Sequence, residues 1–323
     1  MEHVNRVLEL LYDRPGGYFA LEELAEAAGL DRPGLEAALE ALMRRGHRIE
    51  RTPVQGVRLR RPTVMDAHLL ERNLPVRHIG RHVICFGQVG STNDVAFDSS
   101  ARAAGQALVV TAEFQRAGRG RMGRRWVCPP SAGVLASVLL HAGASGLAHE
   151  QLTVAAGLAV AEGIEEAAAV DARLAWPNDV LVGGRKVAGV LVEVRGGLTV
   201  VGFGINVSAA PGAGEIGRPA TCLSVEAGLP VERIELLRAV LVRLDRRVEA
   251  LAGGELEELH RSWLRRCVML NRRVRFRWAG RVLVGRVLDL HPTQGLVVLA
   301  DDGQQVHLPA AETTVLGESD GPG

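Results

Sequence analysis

Gly118-Arg119-Gly120-Arg121-Met122-Gly123-Arg124-Arg125-Trp126 puts three glycines and four arginines into nine residues. An apolar run ending at Thr111-Ala112 leads into it and a second, 134–140, follows, so it reads as a loop between two core strands. Glycine lets a backbone bend tightly and come close to a ligand. Arginine presents forked donors that match carboxylate and phosphate oxygens. The stretch is a candidate holder of a polyanion, and a solvated basic loop or a nucleic-acid contact would look the same in isolation.

The surrounding chain limits the choice. Its 323 residues suffice for two or three domains, with 47% hydrophobic and 23% charged side chains as in an ordinary globular protein. The net charge of +1 excludes a general polycation, so any nucleic-acid binding needs a local patch. No apolar run is long enough to span a bilayer, and the first residues have no secretory pattern. Cys85, Cys128, Cys222 and Cys267 lie far apart and read as reduced thiols of a cytoplasmic chain. The ten histidines are scattered, and no metal-ligand set is expected.

Residues 1–63 carry apolar positions at helical spacing: Val4, Val7, Leu8, Leu11, then Leu21, Leu24, Ala25, Ala28, then Leu35, Leu39, Leu42. Gly29 breaks the second helix and Asp31 caps the third. Two short extended runs follow around Pro53 and Gly56. Three helices and a hairpin are the layout of a winged helix-turn-helix, whose third helix ordinarily enters the major groove. The span 44–61 holds seven arginines against one glutamate, which suits phosphates. Glu36 and Glu40 on the third helix do not, and a protein-contacting module is the alternative.

Residues 64–268 hold the chemistry. Ser91-Thr92-Asn93 follow a short strand at a helix start, where they serve either as caps or as donors and acceptors for a polar ring. Residues 150–169 read as a buried alanine-rich helix. Trp176-Pro177-Asn178-Asp179 reads as a turn. A meander follows, with turns at Gly183-Gly184 and Gly196-Gly197. Lys186 sits just inside its first strand, where its charge is partly desolvated without a nearby anion. Gly189, Gly202 and Gly204 thin the sheet and leave room for a flat ligand.

Five motifs in series resemble the biotin protein ligases in order and spacing, over essentially the whole chain. They are Ser91-Thr92-Asn93, Gln115 with Gly118-Arg119-Gly120-Arg121, Trp176-Pro177-Asn178-Asp179, Gly184-Arg185-Lys186-Val187-Ala188-Gly189, and Gly202-Phe203-Gly204-Ile205-Asn206. The likeness is to the bifunctional class, which also represses biotin genes through an N-terminal DNA-binding domain. It implies an α+β protein: winged helix-turn-helix (1–63), a central mixed-sheet domain of the class II synthetase and biotin ligase type (64–268), and a small SH3-like barrel (269–323).

The same resemblance implies the reaction. Biotin and ATP give biotinyl-5′-AMP and pyrophosphate, with Mg²⁺ on the phosphates. The biotinyl group then passes to a lysine of the biotin carboxyl carrier protein. Two anions must meet, and Arg119, Arg121, Arg124 and Lys186 match the positions that supply positive charge. Ser91, Thr92 and Gln115 would hold the ureido ring, with the backbone of the arginine loop closing over it, and Asn93, Arg119, Gly120, Arg121 and Lys186 would also contact biotin. Gly189, Gly202 and Gly204 would wall its tail. Arg121, Arg124, Lys186, Asn178 and Asn206 would face the nucleotide and Trp126 would cover the adenine. Asp179 would orient or deprotonate the incoming lysine. The arginine loop is expected to move when empty and to order over the intermediate.

The sequence departs from the family at Ala175, where lysine is common, and at Met122, where a polar or basic residue is frequent. A DNA operator is a further candidate partner, and a monomer that pairs with itself on binding ligand is the expected state. Two other classes compete: a non-catalytic biotin-sensing repressor, and a lipoate ligase on the related fold. The retained Arg119, Arg121, Lys186 and Asp179 argue against the first, and the full 115–126 loop against the second. In the last fifty or so residues, turns at Ala279-Gly280, Thr293-Gln294-Gly295 and Asp301-Asp302-Gly303 separate five short strands, and residues 318–323 are expected to be disordered.

Overall fold

The structure, a computed structural model, describes residues 1–144, 146–212, 219–291 and 294–319. Helices α1 (Glu2–Tyr12), α2 (Leu21–Ala28) and α3 (Arg32–Arg44) come first, followed by the antiparallel pair β1 (Ile49–Thr52) and β2 (Gly56–Leu59). Their apolar faces meet in one core, with Leu8, Leu24, Leu35, Leu39 and Leu42 fully buried. Asp31 caps α3 by accepting from the Gly34 amide at 2.9 Å, and Gly29 ends α2 in the left-handed region.

The middle of the chain runs α4 (Ala67–Glu71), β3 (Val83–Phe86), α5 (Thr92–Asp98), α6 (Ser100–Ala103), β4 (Leu108–Ala112), β5 (Gly133–Leu139), α7 (His149–Ala168), β6 (Ala172–Ala175), β7 (Asp179–Val182), β8 (Arg185–Arg195) and β9 (Leu198–Asn206). Among the described residues three helices close it: α8 (Leu223–Ala227), α9 (Arg233–Ala252) and α10 (Leu256–Arg266). The seven strands form one mixed sheet in the order β3-β4-β5-β9-β8-β7-β6, parallel at β3/β4 and antiparallel elsewhere.

Strand alternation sorts that sheet into two faces. Val134, Ala136, Val138, Val201, Phe203, Ile205 and Val190 go to the large core shared with α7 and α9. The other face holds Leu135, Ser137, Leu139, Gly202, Gly204, Gly189 and Glu193, matched across β5, β9 and β8 by register. Its outer part packs on α5 through Ala96, Phe97, Leu108, Leu139 and Val200. Its inner part is left for the site.

The expected C-terminal strands are present as β10 (Arg273–Trp278), β11 (Arg281–His291), β12 (Gly295–Ala300), β13 (Gln305–Leu308) and β14 (Thr314–Glu318). They make an open antiparallel sheet in the order β13-β12-β11-β10-β14 rather than a closed barrel. A short turn at Ala310–Glu312 carries the chain across to β10, so β13 and β14 become opposite edges. Glu318, placed in a disordered tail by sequence, pairs with Val274 instead. Residues 320–323 of that tail, and Thr293 of the expected 293–295 turn, lie outside the described residues. Among the described residues no helix is long and apolar enough to cross a membrane.

Candidate active site

A cavity of about 830 Å³ opens on the inner part of the sheet face. All the sequence-predicted site residues line it: Ser91, Thr92, Asn93, Gln115, Arg119, Gly120, Arg121, Arg124, Trp126, Asn178, Asp179, Lys186, Gly189, Gly202, Gly204 and Asn206. Among the described residues its lining carries five cationic side chains (Arg119, Arg121, Arg124, Arg125, Lys186) against two carboxylates, Asp179 and Glu318. A cleft with that balance concentrates anions.

One end is polar and neutral. Gln115 Oε1 accepts from the Thr92 amide at 2.7 Å and from Thr92 Oγ1 at 3.1 Å. Both partners are donors, so the carbonyl must face them, and the Gln115 amide nitrogen keeps its hydrogens for another acceptor. Ser137 Oγ lies 2.6 Å from both Thr92 Oγ1 and Asn93 Oδ1, and its single proton serves one of them at a time. Ser137 is fully buried inside the apolar strand β5 and sits opposite Gly202. A Cβ at Gly202 would run into the Asn93 side chain, so this glycine makes room for Asn93.

The other end is charged. Lys186 Nζ lies 2.6 Å from Asp179 Oδ1, with Asp179 buried. A bulge makes this pairing possible. Val180 opposes Ala188 while Leu181 opposes Lys186, so β8 carries one extra residue there. Without it, Lys186 and Gly189 would point to opposite faces; with it they share one. Lys186 Nζ also stands 5.3 Å from the centre of the Trp126 ring, within cation–π reach. The indole lies across Gly189 and Gly204, where a Cβ at Gly204 would strike it. The room that the glycines leave is therefore taken by Asn93, Lys186 and Trp126.

The arginine loop, marked by sequence as a mobile cover, is here folded on itself. The Gly120 amide donates to Arg124 O at 2.7 Å, the Trp126 amide to Gly118 O at 2.9 Å, and Met122 and Gly123 turn in the left-handed region. Arg121 donates to Ala310 O, and Thr314 Oγ1 lies 3.1 Å from Met122 Sδ, so the C-terminal sheet holds the loop's outer side. Burial presses Arg121 below its usual pKa, with Asp179 opposing that shift. Arg119 is placed differently. Its guanidinium spans both Asp94 oxygens at 2.6 and 2.8 Å and reaches Glu193 Oε2 at 3.1 Å.

Asn178 Nδ2 donates to Val190 O at 2.6 Å, and Asn206 Nδ2 to Thr221 O at 3.1 Å. Ala175 lines the cavity and stands in register with Asp179. Sequence reasoning named no C-terminal residues for the site, yet Thr313, Thr314, Val315, Leu316, Gly317 and Glu318 form one of its walls. It also missed Ser137, Asp94 and Glu193. A serine inside the apolar run 134–140 was the one visible signal.

Residues 86–209 match the model of the biotin/lipoate A/B protein ligase family. The chain is 34% identical over 233 residues to a biotin–[acetyl-CoA-carboxylase] ligase of Paracoccus denitrificans, covering 69% of this chain and 95% of that one. It is 27% identical over 305 residues to the bifunctional ligase/repressor BirA of Bacillus subtilis, covering 92% and 94%. Among solved structures it resembles the Aquifex aeolicus biotin protein ligase in complex with biotin and ATP, with a TM-score of 0.63 and 27% identity, over 73% of this chain and 99% of that one.

Proposed function

The chain belongs to the biotin/lipoate A/B protein ligase family, and from that premise we propose how its cavity works as a biotin protein ligase. Biotin and ATP combine to biotinyl-5′-AMP and pyrophosphate, and the biotinyl group passes to a lysine of a biotin carboxyl carrier protein. One observation carries the reading. A single cavity joins a neutral hydrogen-bonding end, built on Thr92 and Gln115, to a cationic end built on Lys186 and Arg121.

The ureido group suits the neutral end, where Gln115 offers its amide hydrogens and Ser91, Thr92 and Asn93 supply short polar side chains. The carboxylate then reaches toward Lys186. Its oxygen attacks the α-phosphorus, the P–O bond to pyrophosphate breaks, and no enzyme nucleophile is needed. Lys186, Arg121 and Arg124 stabilise the charge that builds on the phosphate, and Trp126 offers an aromatic face beside them. Asp179 serves twice in this account. It holds Lys186 in place, and in the second step it accepts or orients the proton of the attacking lysine.

A divalent cation would neutralise phosphate charge during the first step. Among the described residues no group of three metal-ligating side chains exists, so Mg²⁺ would arrive with the nucleotide, with Asp179 and Glu318 the carboxylates within the cavity. Residues 1–63 would form a winged helix-turn-helix and the C-terminal sheet an SH3-like unit that closes over the nucleotide. A second reading adds repression of biotin genes. It is favoured by the match to the ligase/repressor, whose coverage of 92% of this chain is too broad to leave out all of the N-terminal unit. A cytoplasmic chain that pairs through a sheet edge when the intermediate is bound completes the proposal.

The test is pyrophosphate release from ATP and Mg²⁺ with biotin or lipoate, with and without a carrier domain. Biotin-dependent release followed by labelling of the carrier lysine is expected. Binding without release would leave a sensor, and release with lipoate alone would move the chain to the sister activity.

A further inference from the structure

Four charged side chains form a closed network beside the cavity: Asp94 on α5, Arg119 in the loop, and Glu193 and Arg195 at the end of β8. Arg119 spans Asp94 at 2.6 and 2.8 Å and touches Glu193 at 3.1 Å. Arg195 reaches Asp94 at 2.9 Å and Glu193 at 3.2 Å. Asn93 Nδ2 donates to Glu193 Oε2 at 2.6 Å, which links the network to Ser137 and the neutral end of the site.

Three features together mark out Arg119 within its loop. Its charge is met by two carboxylates, so little is left for a substrate anion. Its partners stand on two different elements of the core. Its backbone bridges Arg125 at the neck of the folded loop, so fixing its side chain fixes the neck. The pair is bidentate, which is the strong form of an arginine–carboxylate contact. Its members are part-exposed, at 34% for Arg119, 39% for Asp94 and 24% for Glu193, so it adds little to the stability of the whole fold. A loop opens at far lower energy than a domain unfolds, and there the same contact shifts the balance of open and closed forms.

We propose that Asp94 and Glu193 are positioning residues that clamp Arg119, and through it hold the 118–126 loop over the cavity, so that activated intermediate is kept until the acceptor arrives. Retention rests on the ligase reading; the clamp itself does not. Asp94 is held below the usual carboxylate range by its bond to Arg119. Burial pushes Glu193 up, but its bonds from Asn93 and Arg119 outweigh that, so both carboxylates stay charged near neutrality. Loss of the clamp leaves the cationic end intact and lets the mixed anhydride depart or meet water, giving biotin and AMP.

Amide hydrogen exchange of the protein alone tests the clamp, with Asp94→Asn, Glu193→Gln and Arg119→Lys, the last keeping the charge without the fork. Exchange across residues 118–126 should rise about three- to tenfold in each variant while β4 and β5 stay protected. Asp94→Glu should restore most of the protection. Unchanged exchange in all three would overturn the clamp, and loss of protection in β4 and β5 as well would reduce it to a fold contact. The ratio of pyrophosphate released to lysine labelled should rise above that of the unaltered chain. Faster exchange with an unchanged ratio would end the retention role. Faster exchange in a chain that never releases pyrophosphate would support the clamp and sink the ligase reading.

Discussion

Two stretches of this chain are rich in arginine, and the structure uses them in opposite ways. In the span 44–61 nearly every arginine meets a carboxylate of its own neighbourhood. Arg51 reaches Glu36 at 2.6 Å, Arg58 and Arg60 share Glu50 at 3.0 and 2.8 Å, and Arg44 and Arg45 lie 3.6 and 3.7 Å from Glu40 and Asp66. Arg61 crosses to Glu232 on the core. In the loop 118–126 only Arg119 is neutralised by carboxylates among the described residues; Arg121 has a backbone carbonyl, and Arg124 and Arg125 line the cavity with it. A count of arginines cannot separate the two. What separates them is whether the acids of the fold come within reach.

The largest effect is expected where the two regions share an anchor. Arg233 is 1% exposed and donates to Glu113 at 2.8 Å and to Thr63 O at 2.9 Å. Glu113 in turn accepts from the Met65 amide at 2.7 Å, just before the arginine loop begins. Arg233→Met leaves a part-buried carboxylate without its cationic partner and should destabilise the fold by about 3 kcal/mol in denaturant titration. Burial pushes Glu113 up, yet the bond from Arg233 holds it below its ordinary value. That contribution is present above the unfolded carboxylate pKa of about 4.3 and is lost as pH falls through the lower folded value. The gap between variant and parent should therefore be full at neutral pH and close in acid.

Next comes the charge that faces the cavity. Lys186→Ala should lower the rate of biotin-dependent pyrophosphate release by on the order of 10²–10³, measured on the folded fraction because the buried Asp179 also loses its partner. A loss no larger than that of Arg51→Ala in the hairpin would erase the contrast between the two stretches. A pair of glycines sharpens it at smaller scale. Gly204→Ala drives a methyl into Trp126, and Gly56→Ala, at φ +92°, drives one into the Phe19 carbonyl. Overpacking of this kind costs about 1–3 kcal/mol. Gly204→Ala should show it in substrate affinity, and Gly56→Ala in unfolding of the N-terminal unit with ligation intact.

Much of this could be read from the sequence because it depends on neighbours. Helical spacing located α1 to α3, paired glycines located the turns flanking β8, and the motifs gathered into one cavity. Long-range pairing hid the rest. Ser137 matters only because register sets it opposite Gly202 and beneath Asn93. Lys186 faces the site only because β8 bulges beside it. Arg119 reads as a phosphate ligand until Asp94 and Glu193 arrive from elements 25 and 74 positions away. The wall formed by residues 313–318 depends on a chain crossing that no local pattern announces.

The smallest effects concern the hairpin, and they decide whether its arginines are spent or held in reserve. Each exposed pair adds roughly 0.2–1 kcal/mol, so Arg51→Ala should barely move the unfolding midpoint. Salt dependence of binding to arbitrary duplex DNA is more telling. Each phosphate neutralised contributes about −0.9 to the slope of log affinity against log salt, so seven free arginines would give roughly −6. With most of them paired, the slope should be shallow. Glu36→Gln with Glu50→Gln removes the acids that hold Arg51, Arg58 and Arg60, and should steepen it by roughly 3. A steep slope in the unaltered chain would mean that phosphate displaces Glu36 and Glu50 readily. The ion pairs would then be a resting arrangement of a DNA-binding surface, and the two arginine stretches would differ only in which anion they await.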